Sequence, residues 1–148
     1  MHMVNKSYVA DECVFELAMC MSCREDLHSQ LSEESRVAMF DFMHDHSNME
    51  QRQEALGTDS ETEAYLASCI TCGTAAKELK GYTIGAMFSA SHLIKGPFPI
   101  LICSCCEDKL NETISDETRD VWDKFIAEHF PGPPAEVKIP GGTKPVIL

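Results

Sequence analysis

The apolar and polar positions of this chain follow the same order in two separate stretches. Each stretch opens with a short apolar run, CVFELAMC (13–20) in the first and PFPILICS (97–104) in the second. Runs of this length are typical of β-strands rather than of helices. Each run leads into two cysteines with two residues between them, which predicts a strand followed by a cysteine turn, twice in the chain.

A short helical turn and a longer helix are expected after each cysteine turn. The longer helices begin at Ser32 and Ser115, each followed by acidic residues. A serine hydroxyl can accept hydrogen bonds from the free amides of a helix start, and acids there suit the positive end of the helix. Apolar residues then recur at helical spacing. They are Ala38, Met39, Phe42, Met43 and His46 in the first helix, and Val121, Trp122, Phe125, Ile126 and His129 in the second.

The two stretches are related as an internal repeat. A shift of 83 residues places segment 20–46 on segment 103–129 without a gap. The identical pairs are Cys20/Cys103, Cys23/Cys106, Leu27/Leu110, Ser32/Ser115, Glu34/Glu117, Arg36/Arg119, Phe42/Phe125 and His46/His129. Two acidic helices with similar caps would share carboxylates by chance, but not cysteine pairs at a fixed distance before the cap. The pattern therefore favours a duplication.

Between the repeats lie a polar loop and a middle module. GTDSETE (57–63) is typical of a loop, AYLASCITCG (64–73) carries a third cysteine turn, and YTIGAMFSASHLI (82–94) predicts a strand pair or hairpin. The end of the chain is rich in proline and glycine and should be extended. We expect an α+β chain with a first strand–CxxC–helix repeat (1–56), a linker (57–68), a CxxC–hairpin–CxxC–helix module (69–130) and an extended tail (131–148), forming one compact domain.

The composition and charge of the chain disfavour several classes of protein. The chain has 148 residues and a formal net charge of −12, a balance that disfavours binding to nucleic-acid phosphates. No apolar run is long enough for a membrane helix. Acidic residues at Asp11, Glu12 and Glu16 interrupt any signal-peptide core, so a cytoplasmic location is expected. In a reducing compartment, eight cysteines are more typical of metal ligands or redox groups than of disulfides.

The middle and late cysteine pairs have the spacing of a zinc site. Two CxxC turns can meet around Zn²⁺ with about 2.3 Å to each sulfur, and Cys69, Cys72, Cys103 and Cys106 are the favoured set. The order is a turn finished by Gly73, a hairpin, and a ligand pair at a helix start. In that order, segment 69–130 resembles a treble-clef zinc module, a generic resemblance that implies a structural metal.

Other ligand sets remain open. Cys20 and Cys23 could join Cys103 and Cys106 on the symmetry axis of the repeat, or join Cys69 and Cys72, or no metal is bound at all. A second site is also conceivable. Its candidate ligands are Cys20, Cys23, Cys13 and His28, with His44 and His46 as further candidates.

These features favour a structural zinc-binding protein that acts as a protein-interaction module, without membrane or nucleic-acid contacts. A site of four thiolates has no open position for catalysis, and no catalytic motif is present. The partner, another protein or a second copy, would contact the apolar tail or a methionine-rich helix face formed by Met19, Met21, Met39, Met43 and Met49. The alternatives are a thiol redox protein or redox or zinc sensor, and then an iron–sulfur protein.

Overall fold

A computed structural model describes residues 1–129 as an antiparallel sheet with helices packed on one face. The strands are β1 (His2–Val9), β2 (Glu12–Cys20), β3 (Gly81–Ser89), β4 (His92–Ile94) and β5 (Ile100–Cys103). The helices are α1 (Met21–Gln30), α2 (Glu33–His46), α3 (Met49–Leu56), α4 (Thr62–Tyr65), α5 (Ser104–Thr113) and α6 (Asp116–His129), with a 3-10 turn at Ala76–Glu78. The predicted α+β class is confirmed.

Strand β1 lies at the middle of the sheet and joins the two halves of the chain. It pairs with β2 on one side and with β3 on the other, while β3 also pairs with β4 and β5. The hairpin expected at 82–94 corresponds to β3 and β4. Strands from segments 1–56 and 69–130 thus share one sheet, and part of the expected linker, Thr62–Tyr65, is helical.

The helices of the two halves have matching bounds. Helices α1 and α2 fall on α5 and α6 when the chain is shifted by 83 residues. The segments expected to be short helical turns are helices of ten residues each. Because β2 and β5 run in opposite directions, their terminal cysteines, Cys20 and Cys103, lie at opposite ends of the sheet.

The main core lies between the sheet and the helices and draws on both halves. Its buried residues are Leu17, Met19, Leu27, Leu31, Phe42, Leu110, Ile114 and Trp122. The apolar stripes of α2 and α6 both pack here, as the helical spacing predicts. A second cluster forms around the middle and late cysteines, and Met43 packs against both clusters.

The helix caps of the two halves are bonded to each other. The Ser32 hydroxyl accepts from the Ser35 amide at 3.1 Å, and the Ser115 hydroxyl accepts from the Thr118 amide at 3.2 Å. Across the interface, the Ser115 amide donates to the Ser35 hydroxyl at 2.8 Å, and the Ser32 and Ser115 hydroxyls lie 3.0 Å apart. We call Ser32, Ser35, Ser115 and Thr118 the hydroxyl cluster.

The five methionines expected to form a partner surface lie on four different elements, and most of them face inward. Met19 is buried, while Met39, Met43 and Met49 are half-buried against the two clusters. The large apolar side chains that α2 does expose are Val37 and Phe40. The tail at 131–148 lies outside the described residues. No helix in the described part of the chain has the length and apolar character needed to cross a membrane.

Candidate metal centre

The first cysteine pair of the candidate centre lies on a tight turn after α4. The Gly73 amide donates to the Cys69 carbonyl at 2.9 Å, and the Cys69 amide donates to the Thr74 carbonyl at 3.0 Å. Gly73 has a φ of +73°, a backbone conformation that favours glycine. The turn therefore folds Cys72 back toward Cys69, which places both sulfurs on one side of the loop.

The second pair lies where β5 passes into α5. Cys103 is the last residue of the strand and the N-cap of the helix, and Cys106 is in the first helical turn. The free amides and dipole of a helix start favour thiolates over thiols. The predicted position of this pair at a helix start is thus confirmed.

Backbone hydrogen bonds join the turn to the strand. The Ile70 amide donates to the Leu101 carbonyl at 2.9 Å, and the Cys103 amide donates to the Cys69 sulfur at 3.3 Å. As a result, the sulfurs of Cys69, Cys72, Cys103 and Cys106 all lie within 4.8 Å of one another. Within residues 1–129, no other group of three or more cysteine, histidine or acidic side chains forms such a cluster.

The spacing of these sulfurs fits a tetrahedral metal ion. Zinc–sulfur bonds of about 2.3 Å place the sulfurs of a tetrahedral site about 3.8 Å apart. The Cys72 and Cys103 sulfurs lie 3.7 Å apart. Four thiolates are a donor set typical of structural zinc and, in other proteins, of iron–sulfur centres.

Three of the four cysteines of the centre are buried, and the fourth is exposed to solvent. Cys69, Cys103 and Cys106 are at most 4 % exposed, whereas Cys72 is exposed. Burial raises the pKa of Cys103 to about 11 and raises the pKa of Cys106 as well. The hydroxyl and backbone of Thr74 lower the pKa of Cys72 to about 6. Buried thiols ionise when a bound cation compensates the charge, so this arrangement suits a metal ion.

Arg52 of α3 supports both ligand-bearing segments, and sequence reasoning did not identify it. Its guanidinium donates to the carbonyls of Tyr65 at 2.7 Å, Pro97 at 3.1 Å and Pro99 at 2.5 Å. It also lies 5.2 Å from the centre of the Tyr65 ring. Because its partners are backbone carbonyls, no residue type in the sequence marks the interaction.

The structure does not bring Cys20 and Cys23 to this centre. Cys20 pairs with His2 of β1, which in turn pairs with Phe88 of β3. Cys103 pairs with Tyr82, which lies six residues before Phe88 on β3. The two cysteines are thus about 20 Å apart along the strands and three strand spacings, about 14 Å, across them. The sets that combine Cys20 and Cys23 with the other pairs are therefore not assembled.

The companions considered for a second site are also separated from Cys20 and Cys23. Cys13 is seven residues from Cys20 on β2, about 24 Å at 3.4 Å per residue. His28 follows Cys23 by five residues on α1, about 140° round the helix. Cys105, which lies between Cys103 and Cys106 in the sequence, is exposed.

Protein-family models, curated proteins and solved structures were compared with the chain, and none of them matches.

Proposed function

We propose that this chain is a structural zinc-binding protein whose Cys69, Cys72, Cys103 and Cys106 hold one Zn²⁺. The observation that carries the proposal is the approach of four sulfurs to within 4.8 Å of one another. A site filled by four thiolates has no open position for water or substrate, so its role is to fix the fold. The ion would join the turn after α4 to the junction of β5 and α5.

The order of elements supports the treble-clef resemblance of this module. A cysteine turn at 69–73, the β3–β4 hairpin, strand β5 and helix α5 follow one another around the centre. The long gap between the cysteine pairs is filled by β3, the strand that pairs with both β1 and β5. The duplication is supported by the equal bounds of the helices in the two halves.

Metal content of purified variants tests the proposal. We expect about one zinc per chain in the wild type and its loss in Cys72→Ser. Cys72 is exposed, so this substitution leaves the core packing intact. Cys105→Ser is the matched control, since Cys105 is also exposed and adjoins the ligand Cys106. A metal-free wild type, or equal zinc in both variants, would contradict the proposal.

An interaction role is supported by the exposed surface of α2. Val37 is 53 % exposed and Phe40 is 69 % exposed, and they lie one helical turn apart. Phe40 also lines a cavity of about 510 Å³ with Met43, His44 and Met49. Exposed apolar groups of this kind mark protein contacts, so we expect a protein partner or a second copy here.

Cross-linking of the zinc-loaded protein in a cell extract tests this role. We expect a cross-linked species with the wild type and its loss with Phe40→Ser, while Glu112→Ser, at an exposed position of α5 that does not line this cavity, serves as the control. A chain that stays uncross-linked in all three forms would contradict an interaction role for α2.

A further inference from the structure

A second cysteine pair lies outside the metal centre, at the start of α1. Cys20 and Cys23 are both exposed, and the Cys23 amide donates to the Cys20 sulfur at 3.4 Å. In residues 1–129 no third metal-ligating side chain completes a cluster with them. The pair is therefore an accessible dithiol rather than a closed metal site.

The two sulfurs have different surroundings. Cys20 is the N-cap of α1, and its sulfur lies 3.2 Å from the Ser22 hydroxyl. These contacts lower the pKa of Cys20 to about 7, the Ser22 hydroxyl contributing most. Interaction with Cys20 raises the pKa of Cys23. Near neutral pH, Cys20 is therefore the attacking nucleophile, and Cys23 is the thiol that reacts second.

A cavity beside Cys23 leaves room for a bound molecule. It has a volume of about 340 Å³ between α1 and α6. Leu27, Val121 and Phe125 give it an apolar wall. Its polar lining carries both signs of charge, since Lys124 lies 3.9 Å from Glu128 and Asp26 also lines the cavity. The apolar wall can take the organic part of a small disulfide.

We propose that Cys20 and Cys23 form a thiol–disulfide exchange site that small organic disulfides oxidise. The Cys20 thiolate attacks one sulfur of the disulfide, forms a mixed disulfide and releases the other half as a thiolate. The Cys23 thiol loses its proton to solvent and attacks the Cys20 sulfur. The Cys20–Cys23 disulfide forms, the second half of the small molecule leaves, and two electrons have passed from the protein to the small disulfide.

This activity is independent of the proposed zinc centre. Cys20 and Cys103 lie at opposite ends of the sheet, and no ligand of the centre takes part in the exchange. The zinc proposal and the exchange proposal can therefore fail separately, and the experiment below distinguishes the two failures.

Equilibration of the purified protein in glutathione buffers, from reduced to oxidised, tests the proposal. After alkylation and digestion, segment 7–24 carries both cysteines of the site together with Cys13. We expect this peptide to carry one alkyl group, on Cys13, and to be about 2 Da lighter than the same peptide with free thiols at Cys20 and Cys23, with a Cys20–Cys23 bond and unchanged zinc content in the protein. Cys23→Ser should stop at a glutathione adduct on Cys20, and Cys20→Ser should lose the fast adduct. Cys13→Ser is the control and should behave as the wild type.

Three results would overturn the proposal. Cys20 and Cys23 could remain alkylatable in the most oxidised buffer. Glutathione disulfide could oxidise the four-cysteine centre, with loss of zinc, before it reacts at Cys20. A zinc ion in excess of the one expected at the four-cysteine centre could be present and be lost in Cys20→Ser, which would make the pair a metal ligand. Zinc content measured in the same samples separates each result from failure of the zinc proposal.

Discussion

The hydroxyl cluster shows how single residues join the two halves of the molecule. Ser35 and Thr118 are fully buried, and each lies in the first turn of one long helix while contacting the start of the other. A buried hydroxyl requires a hydrogen-bond partner, and here the partners are supplied across the interface. The hydroxyl cluster therefore caps both helices, through Ser32 and Ser115, and fixes the position of α2 against α6.

Substitution of Ser35 by alanine tests this double role. The variant leaves the Ser115 amide without its acceptor, so we expect a loss of about 1–3 kcal/mol in the free energy of unfolding. Ser29→Ala removes an exposed hydroxyl that donates to the Asp26 carbonyl within its own helix and should change stability far less. Urea unfolding measures both. Equal effects would show that the cluster does not stabilise the interface.

His28 should make the fold sensitive to mild acid. Burial lowers the pKa of His28, and Arg24 and Arg36 lower it further. The unfolded chain binds a proton near the ordinary histidine pKa of about 6.5, whereas the folded chain resists it. Stability should therefore be complete above that pH and fall as the pH drops below it.

Urea midpoints on either side of that pKa test this expectation at fixed zinc concentration. His28→Gln should lose less stability on acidification than the wild type. His44→Gln is the control, because Asp45 raises the pKa of His44 and its contribution has the opposite sign. An identical acid response in the wild type and His28→Gln would show that another group is responsible.

The role of a single residue can be predicted from the sequence when its interaction partners are close to it along the chain. Ser32 and Ser115 could be predicted as caps because a cap depends on its next three residues. Their bond to each other could not, since it joins positions 83 apart. The role of Arg52 could not be predicted either, because its carbonyl partners lie in other segments of the chain.

At the scale of elements, β1 was missed although it lies at the centre of the sheet. Its inward positions are Met3, Asn5 and Ser7, so the alternation of apolar and polar residues that identifies a strand is absent. Strands β2 and β5 are apolar and were predicted. Helix α3 has no buried residue and therefore no apolar stripe to predict it.

Arg52→Gln tests how α3 supports the metal centre. The loss of the guanidinium removes hydrogen bonds to three carbonyls on both sides of the cysteine turn. Hydrogen bonds of charged groups are worth about 1.5–3 kcal/mol each, so the turn should open more often. We expect faster release of zinc to a coloured chelator.

Arg36→Gln is the control for that variant, because Arg36 is exposed on α2 away from the cysteine turn. Release rates that match in both variants and the wild type would show that Arg52 does not support the centre.

At the scale of the whole molecule, the two core clusters stabilise the fold in different ways. The cluster that contains Trp122 is built from both halves and needs no metal. The cluster around Cys69 and Cys103 includes three of the four thiols that a metal ion would hold together, and the exposed Cys72 is the fourth. The sequence predicted this ligand set from its spacing. It did not predict the sheet that both halves share, since strand partners depend on contacts distant in sequence.

Removal of the metal should therefore open one region rather than unfold the chain. With a chelator, we expect faster hydrogen exchange at the amides of Ile70, Gly73 and Ala76, which bond within or beside the cysteine turn. Amides of β1 should keep their protection because their partners are β2 and β3. Hydrogen-exchange mass spectrometry distinguishes this from uniform loss of protection, which would mean that the metal holds the entire fold.

The central claim is that four sulfurs surround one zinc ion, and X-ray absorption at the zinc edge of the purified protein tests it most directly. The account predicts a single shell of about four sulfur atoms at about 2.3 Å. Nitrogen or oxygen atoms in that shell, or a protein that contains no zinc after purification under reducing conditions, would contradict it.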